Sequence, residues 1–376
     1  MSVQPRRRSI LLAAGAATAA TAVGAVGAGP ATAAAAPRPG RPLVIGHRGA
    51  AGWRPEHTAA AYTYAVETGA DWIEPDLVPT KDHVLVVRHE NEISGTTDVA
   101  KHPEFAGRRT TKTVDGRAVT GWFTEDFTLA ELKTLRAVER LPLIRNRNTV
   151  FDGREPVLTF EEVVKLAREL SRRHRRRIAV FPETKHPTYF RSIGLPLEPA
   201  LARIVRRHRL DADECVVQSF EPSSLAAFAE ERLRLPLWQA LGTTGAPYDL
   251  VAAGDPTTYK DMMTPQGLRK IARYADWIGP DKSSVVEPFT LLADAHRAGL
   301  KVGAYTFRAE NQYLPAQFRR GTNPNDFGDA FAEYALHFGR GVDAVVTDYP
   351  DIAVLARDAA DPDSSGDSDS SGDSAA

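Results

Sequence analysis

Short apolar runs alternate with helical patterns along most of this chain, and that alternation narrows the folds open to it. Runs suited to strands occur at residues 43–46, 72–77, 84–88, 178–183, 215–218, 237–240, 277–278, 302–305 and 344–347. Helical patterns occupy 56–68, 160–172, 198–207, 222–231, 265–273, 288–298 and 326–338. Repeated strand–helix units call for parallel strands covered by helices, because each parallel connection must return to the same end of the sheet. A (β/α)8 barrel and a doubly wound open sheet both satisfy this pattern. Nine strand candidates compete for eight barrel positions. The spare is either a hairpin arm among 72–77 and 84–88 or the short run at 277–278.

Residues 91–158 break the rhythm with many Thr, Gly, Asp and Arg residues. One helix is predicted there, near 128–138, after the cap-like Asp126-Phe127-Thr128. A stretch this long is expected to form an inserted lobe over one face of the barrel.

Both ends read as lying outside the fold, which leaves 37–357 as its extent. Arg6, Arg7 and Arg8 precede Ser9-Ile10-Leu11-Leu12 and an Ala/Gly-rich run with small-residue cleavage sites near Ala31-Thr32-Ala33. That order predicts a twin-arginine-like export signal over 1–36, read by export machinery, and an extracellular or cell-surface location. Residues 358–376 are mostly Asp, Ser, Gly and Ala and predict a disordered acidic tail. The body contains no apolar run of the ~18 residues that suggest a membrane span.

The whole chain carries a net charge of −1; without the three leader arginines it is −4, and without the six tail aspartates the body stands near +2. A nearly neutral body argues against a general nucleic-acid binder. The basic run Arg172-Arg173-His174-Arg175-Arg176-Arg177 falls at a predicted helix end, where cations suit the dipole. Cys215 is the single cysteine, so no internal disulfide forms, and it reads as a small buried hydrophobe.

The polar residues that carry chemistry stand at the carboxyl ends of predicted strands. His47 and Arg48 follow the first, Glu74 and Asp76 end the second, Arg88 and His89 end the third, and Glu183 and Lys185 end the fourth. In a barrel these ends share one rim, where active sites form. Glu74 and Asp76 are two apart and point to the same face, as are Glu183 and Lys185. Carboxylates held side by side repel unless a cation lies among them. Three of them with no thiolate form a hard oxygen site suited to Ca²⁺ or Mg²⁺. His47 and His89 titrate near working pH and suit proton transfer, while Arg48 and Lys185 suit phosphate oxygens. Tyr305 and Phe307, at the end of a late strand, are read as walls of the pocket.

These residues fall into a known pattern. His47-Arg48-Gly49, Pro55-Glu56-His57-Thr58, Gly69 through Asp76, Thr80-Lys81-Asp82 and Val87-Arg88-His89-Glu90 resemble the glycerophosphodiester phosphodiesterase family, in its secreted bacterial branch. Pro182-Glu183-Thr184-Lys185, Gln218-Ser219-Phe220-Glu221 and Val346-Thr347-Asp348-Tyr349-Pro350 extend the resemblance over about 43–355. It implies a (β/α)8 TIM barrel with a small inserted subdomain. It implies His47 and His89 as the acid–base pair, and Glu74, Asp76 and Glu183 as ligands of one divalent cation. Ca²⁺ is favoured, since exported members commonly use it. It implies Arg48 and Lys185 on the phosphate of a small glycerophosphodiester, cleaved to glycerol 3-phosphate and an alcohol. His57 and Glu90 depart from the Asn and Asp usual at their positions, and Glu56 and Glu90 are read as orienting carboxylates.

The attacking oxygen is water or a free glycerol hydroxyl, the latter through a cyclic phosphate. Two rival readings keep the scaffold: a hydrolase of glycerol-phosphate wall polymers or of lipids in the manner of a phospholipase D, and a non-catalytic module that binds glycerophosphoesters.

Overall fold

The computed structural model describes residues 40–286 and 290–360. The segment 1–36 lies outside the described residues, as does the acidic segment beyond Ala360. The last helix, Pro350–Ala360, carries the fold three residues past 357, with Asp358 paired to Arg41 and Arg357.

Among the described residues thirteen strands form, in chain order: β1 (Leu43–His47), β2 (Trp72–Glu74), β3 (Asp76–Pro79), β4 (Leu85–Val87), β5 (Thr110–Val114), β6 (Arg117–Gly121), β7 (Ala179–Val180), β8 (Glu183–Thr184), β9 (Val217–Ser219), β10 (Leu237–Leu241), β11 (Trp277–Pro280), β12 (Lys301–Phe307) and β13 (Ala344–Thr347). The predicted run 72–77 is split at Pro75 into β2 and β3, and the run 178–183 is split across Phe181-Pro182 into β7 and β8. Proline has no N–H for the ladder, so each stave breaks where one falls. β2 pairs with β7 and β3 with β8, so each split strand still acts as one stave. β1 pairs in parallel with both β2 and β13, which closes the ring at eight staves and excludes the open sheet. The spare strand is 84–88: β4 runs antiparallel to β3 and is a hairpin arm. The short run at 277–278 is a full stave.

The barrel interior is filled, not hollow. Ile45, Phe181, Val216, Trp238, Trp277 and Val346 form an inner cluster, with the Trp238 and Trp277 rings stacked at 5.0 Å. Gly303 makes room for the Trp238 indole, since a Cβ there would lie 1.9 Å from that ring. A second, larger core lies between the staves and the helices. The helix Phe160–Arg173 shows how those helices form. Thr159 accepts the Glu162 N–H while Glu162 returns to the Thr159 N–H, which caps the first turn, and Phe160, Val163, Val164, Ala167 and Leu170 fall on one buried stripe. The basic run ends this helix as predicted: Arg176 donates to the carbonyls of Ala70 and Val66, and Arg177 pairs with Asp213.

The segment 91–158 differs in detail from its prediction. The helix expected near 128–138 is a single turn, Leu129–Leu132. Beyond it the backbone N–H groups of Ala137 and Val138 donate to the carbonyls of Glu155 and Thr96, so cross-chain pairing replaces the helical ladder. The β5–β6 hairpin turns at Asp115-Gly116, both with positive φ, as that dipeptide favours. Cys215 is buried just ahead of β9, bridged to Val180. No helix among the described residues is long and apolar enough to cross a membrane.

Candidate active site

Ladder register brings the chemistry together. His47 pairs with Glu74 across β1 and β2, Asp76 with Glu183 across β3 and β8, and Glu183 with Gln218 across β8 and β9. Residues remote in sequence thereby become neighbours on one rim. Glu74, Asp76 and Glu183 are all buried, and each offers a carboxylate oxygen within 4.8 Å of the others. Glu74 is oriented by the Arg48 backbone N–H at 2.9 Å and by Gln218 Nε2 at 3.0 Å. Asp76 Oδ2 accepts from His57 Nε2 at 2.9 Å, whose Nδ1 is held by the Tyr62 hydroxyl. Asp76 Oδ1 is buried with no hydrogen-bond partner, although the Lys185 ammonium stands 3.6 Å away.

That orphaned oxygen beside two further buried carboxylates fits a hard divalent cation. The electrostatics agree. Burial, then Asp76 and Glu183, push Glu74 well above the usual carboxylate range, and burial raises Glu183 to about 7. Lys185, His89 and His57 outweigh burial at Asp76 and hold it well below that range. Such a divided cluster is short of positive charge.

The two histidines are set in matching frames. His47 Nδ1 meets Asp348 Oδ1 at 2.5 Å, and His89 Nδ1 meets Glu90 Oε1 at 2.5 Å. His89 Nε2 also receives the Lys185 ammonium at 3.0 Å, and Lys185 holds Glu183 at 2.5 Å. Burial and then Arg48 lower both imidazoles, His47 to about 4, against the pull of their carboxylates. Arg48, in the left-handed region at φ 57°, pairs with Glu56 at 2.9 Å and lies 3.3 Å from Asp76.

His47, Arg48, Glu74, His89, Glu183, Lys185 and Tyr305 line one cleft of about 1080 Å³. Asp76 is fully buried and is not among the lining residues. Phe307 does not belong there: it is fully buried and stacks on Tyr334 at 5.0 Å. The β12–β13 register shifts between Ala304 and Phe307, so strict alternation no longer carries Phe307 to the Tyr305 face.

Several site residues escaped sequence reasoning. Asp348 and Arg308 directly follow strand ends, so the rule that found His47 would have found them. Arg308 Nε donates to Asp348 Oδ2 at 3.0 Å. Arg140 and Arg145 come from the insertion and carry no local signal. Arg140 bridges Glu56 and Glu90, each at 2.6 Å. Glu56 and Glu90 thus orient neighbours, as expected of them.

A model of the glycerophosphoryl diester phosphodiesterase family matches residues 47–352. The chain belongs to that family. Its curated relatives include the glycerophosphodiester phosphodiesterase GDPD6 of Arabidopsis thaliana, 33% identical over 82% of this chain and 84% of that protein. A glycerophosphodiester phosphodiesterase of Haemophilus influenzae is 26% identical over 83% and 88%. Among solved structures, a putative member from Silicibacter pomeroyi superposes with a TM-score of 0.59 at 22% identity, covering 84% of this chain and 92% of that one. An Oleispira antarctica phosphodiesterase, solved with the product sn-glycerol-3-phosphate, has a TM-score of 0.55 at 18% identity, covering 84% and 97%. These structures share the barrel. As a member of the phosphodiesterase family, the chain is a phosphoric diester hydrolase acting on glycerophosphodiesters.

Proposed function

We propose that this enzyme hydrolyses small glycerophosphodiesters to glycerol 3-phosphate and an alcohol by two-histidine acid–base catalysis over one divalent cation. The observation that carries this reading is the paired framing of His47 and His89 in one cleft beside the buried carboxylates. Each imidazole donates its Nδ1 proton to a carboxylate, which leaves Nε2 as the basic nitrogen. One takes the proton of the attacking oxygen, and the other delivers a proton to the leaving alcohol. Arg48 and Lys185 neutralise phosphate oxygens, and Tyr305 walls the cleft. Glu74, Asp76 and Glu183 would hold the cation, for which Ca²⁺ is our choice and Mg²⁺ the alternative. When bound, it supplies Lewis-acid polarisation of the phosphate.

The test is release of glycerol 3-phosphate from glycerophosphocholine, with and without EDTA, and with Ca²⁺ or Mg²⁺ restored. Release that stops with chelator and returns with metal supports the reading, as does a large loss of turnover in folded His47→Ala and His89→Ala. Wild-type turnover in either variant removes that histidine from the mechanism. Residues 1–36 are proposed as the export signal; secretion of a reporter that survives replacement of Arg6, Arg7 and Arg8 by Lys would refute a twin-arginine route.

A further inference from the structure

The two histidine frames are not equally enclosed. His47 and Asp348 are both buried, and Arg145 and Arg308 close on the far oxygen of Asp348. The side chain of His89 is 29% exposed and that of its partner Glu90 37%. A glutamate this open to water samples several rotamers unless its second oxygen is also held.

Arg140, from the insertion, holds that oxygen. Its Nη2 donates to Glu90 Oε2 at 2.6 Å, which leaves Oε1 for His89 Nδ1 at 2.5 Å. The same guanidinium is anchored from behind by a bidentate pair with Glu56, Nε and Nη2 both at 2.6 Å. Glu56 is buried and also accepts from Arg48 Nη1 at 2.9 Å. Arg140 therefore spans the carboxylate behind His89 and the carboxylate behind Arg48. Burial alone would raise Glu90, but the His89 contact and Arg140 hold it well below the usual carboxylate range, so it stays an ionised acceptor.

The turn that carries Arg140 is itself fastened. The Glu139 N–H donates to Asp152 at 2.7 Å, and the buried Glu139 carboxylate accepts the Leu141 N–H at 2.8 Å and Asn148 Nδ2 at 2.9 Å. The insertion thus delivers the guanidinium to a set place. On the other side of the ring, Lys185 donates to His89 Nε2 at 3.0 Å. An imidazole with its proton on Nδ1 satisfies Glu90 and Lys185 together. The reverse tautomer sets donor against donor and acceptor against acceptor.

We propose that Arg140 is a positioning residue for proton transfer: it fixes Glu90, and through Glu90 the tautomer and tilt of His89. The proposal rests on the two-histidine reading above. Arg140 touches neither substrate nor His89, so its whole effect passes through Glu90.

The experiment measures kcat and KM for glycerophosphocholine in wild type, Arg140→Ala, Glu90→Gln and the double variant, with circular dichroism as the folding control. Arg140→Ala is expected to lose about 10–100-fold in kcat with KM within about threefold. The double variant is expected to be no slower than the worse single one, because both act on one contact. Guanidinium at millimolar concentration restores kcat in part to Arg140→Ala and not to Glu90→Gln. Arg140→Lys keeps the charge and loses the bridge, so it makes the same test should Ala not fold. A kcat within about threefold of wild type in the folded Arg140 variants, or losses that multiply in the double variant, overturns the proposal. If wild type releases no glycerol 3-phosphate, the hydrolase reading fails instead. Nitrogen-15 NMR of the His89 ring then still decides: a single Nδ1–H tautomer in wild type that becomes mixed in Arg140→Ala supports the proposal, and identical spectra overturn it.

Discussion

Arg145 donates from Nη2 to Asp348 Oδ2 at 2.6 Å, joining the insertion to the strand end that holds His47. The same guanidinium holds Glu310 at 2.7 Å, and all three groups are buried. The insertion therefore braces the Asp348–His47 pair. Arg145→Ala leaves two buried carboxylates short of positive charge, and a loss of about 3–5 kcal/mol is expected. Urea denaturation reads this directly. A variant as stable as wild type would show that Arg308 and Tyr349 compensate fully.

Asp348→Asn keeps the shape of the His47 contact and removes its charge. The imidazole then loses the acceptor that sets its tautomer, and kcat is expected to fall by about 10²–10⁴-fold with the fold retained. Steady-state kinetics with circular dichroism as the folding control checks it. A fall under threefold would place Asp348 outside the proton-transfer machinery.

Metal affinity is expected to depend on pH with a definite sign. In the metal-free protein Glu183 is raised to about 7, so below that pH it holds a proton that a cation must expel. Affinity is therefore expected to fall as pH drops through about 7, and the raised Glu74 adds to the loss in the same direction. Calorimetry with Ca²⁺ is expected to show binding weaker by about tenfold at pH 6 than at pH 8. Equal affinity at both would remove Glu183 as a ligand.

His57 orients Asp76 through Nε2, a task that an amide N–H also performs. His57→Asn is thus expected to keep metal affinity within a few-fold. His57→Leu leaves Asp76 Oδ2 with the Arg48 contact at 3.3 Å and is expected to weaken the metal by about 10–100-fold. Similar affinities in the two variants would show that His57 only fills space.

Gly303→Ala places a methyl group against the Trp238 ring inside the closed barrel. Neither the indole nor the strand has room to shift, so a cost of about 1–3 kcal/mol is expected, read as a lower Tm in calorimetry. An unchanged Tm would mean that the inner layer repacks.

Much of the site was legible in the chain because it is local. A residue that ends a strand is fixed to the rim by the strand itself, so His47, Glu74, Asp76, His89, Glu183 and Lys185 could be named from spacing and chemistry. The alternation of runs likewise restricted the fold to parallel strands under helices. Closure was not local: only the pairing of β1 with β13 decides for a barrel, and only antiparallel pairing reveals 84–88 as a hairpin arm. The register shift that takes Phe307 into the core depends on its partner strand. The meeting of Arg145 with Asp348 spans 203 positions, and no period in the chain encodes it. Sequence sets what each segment presents, whereas ring closure and loop packing set what each presented group meets.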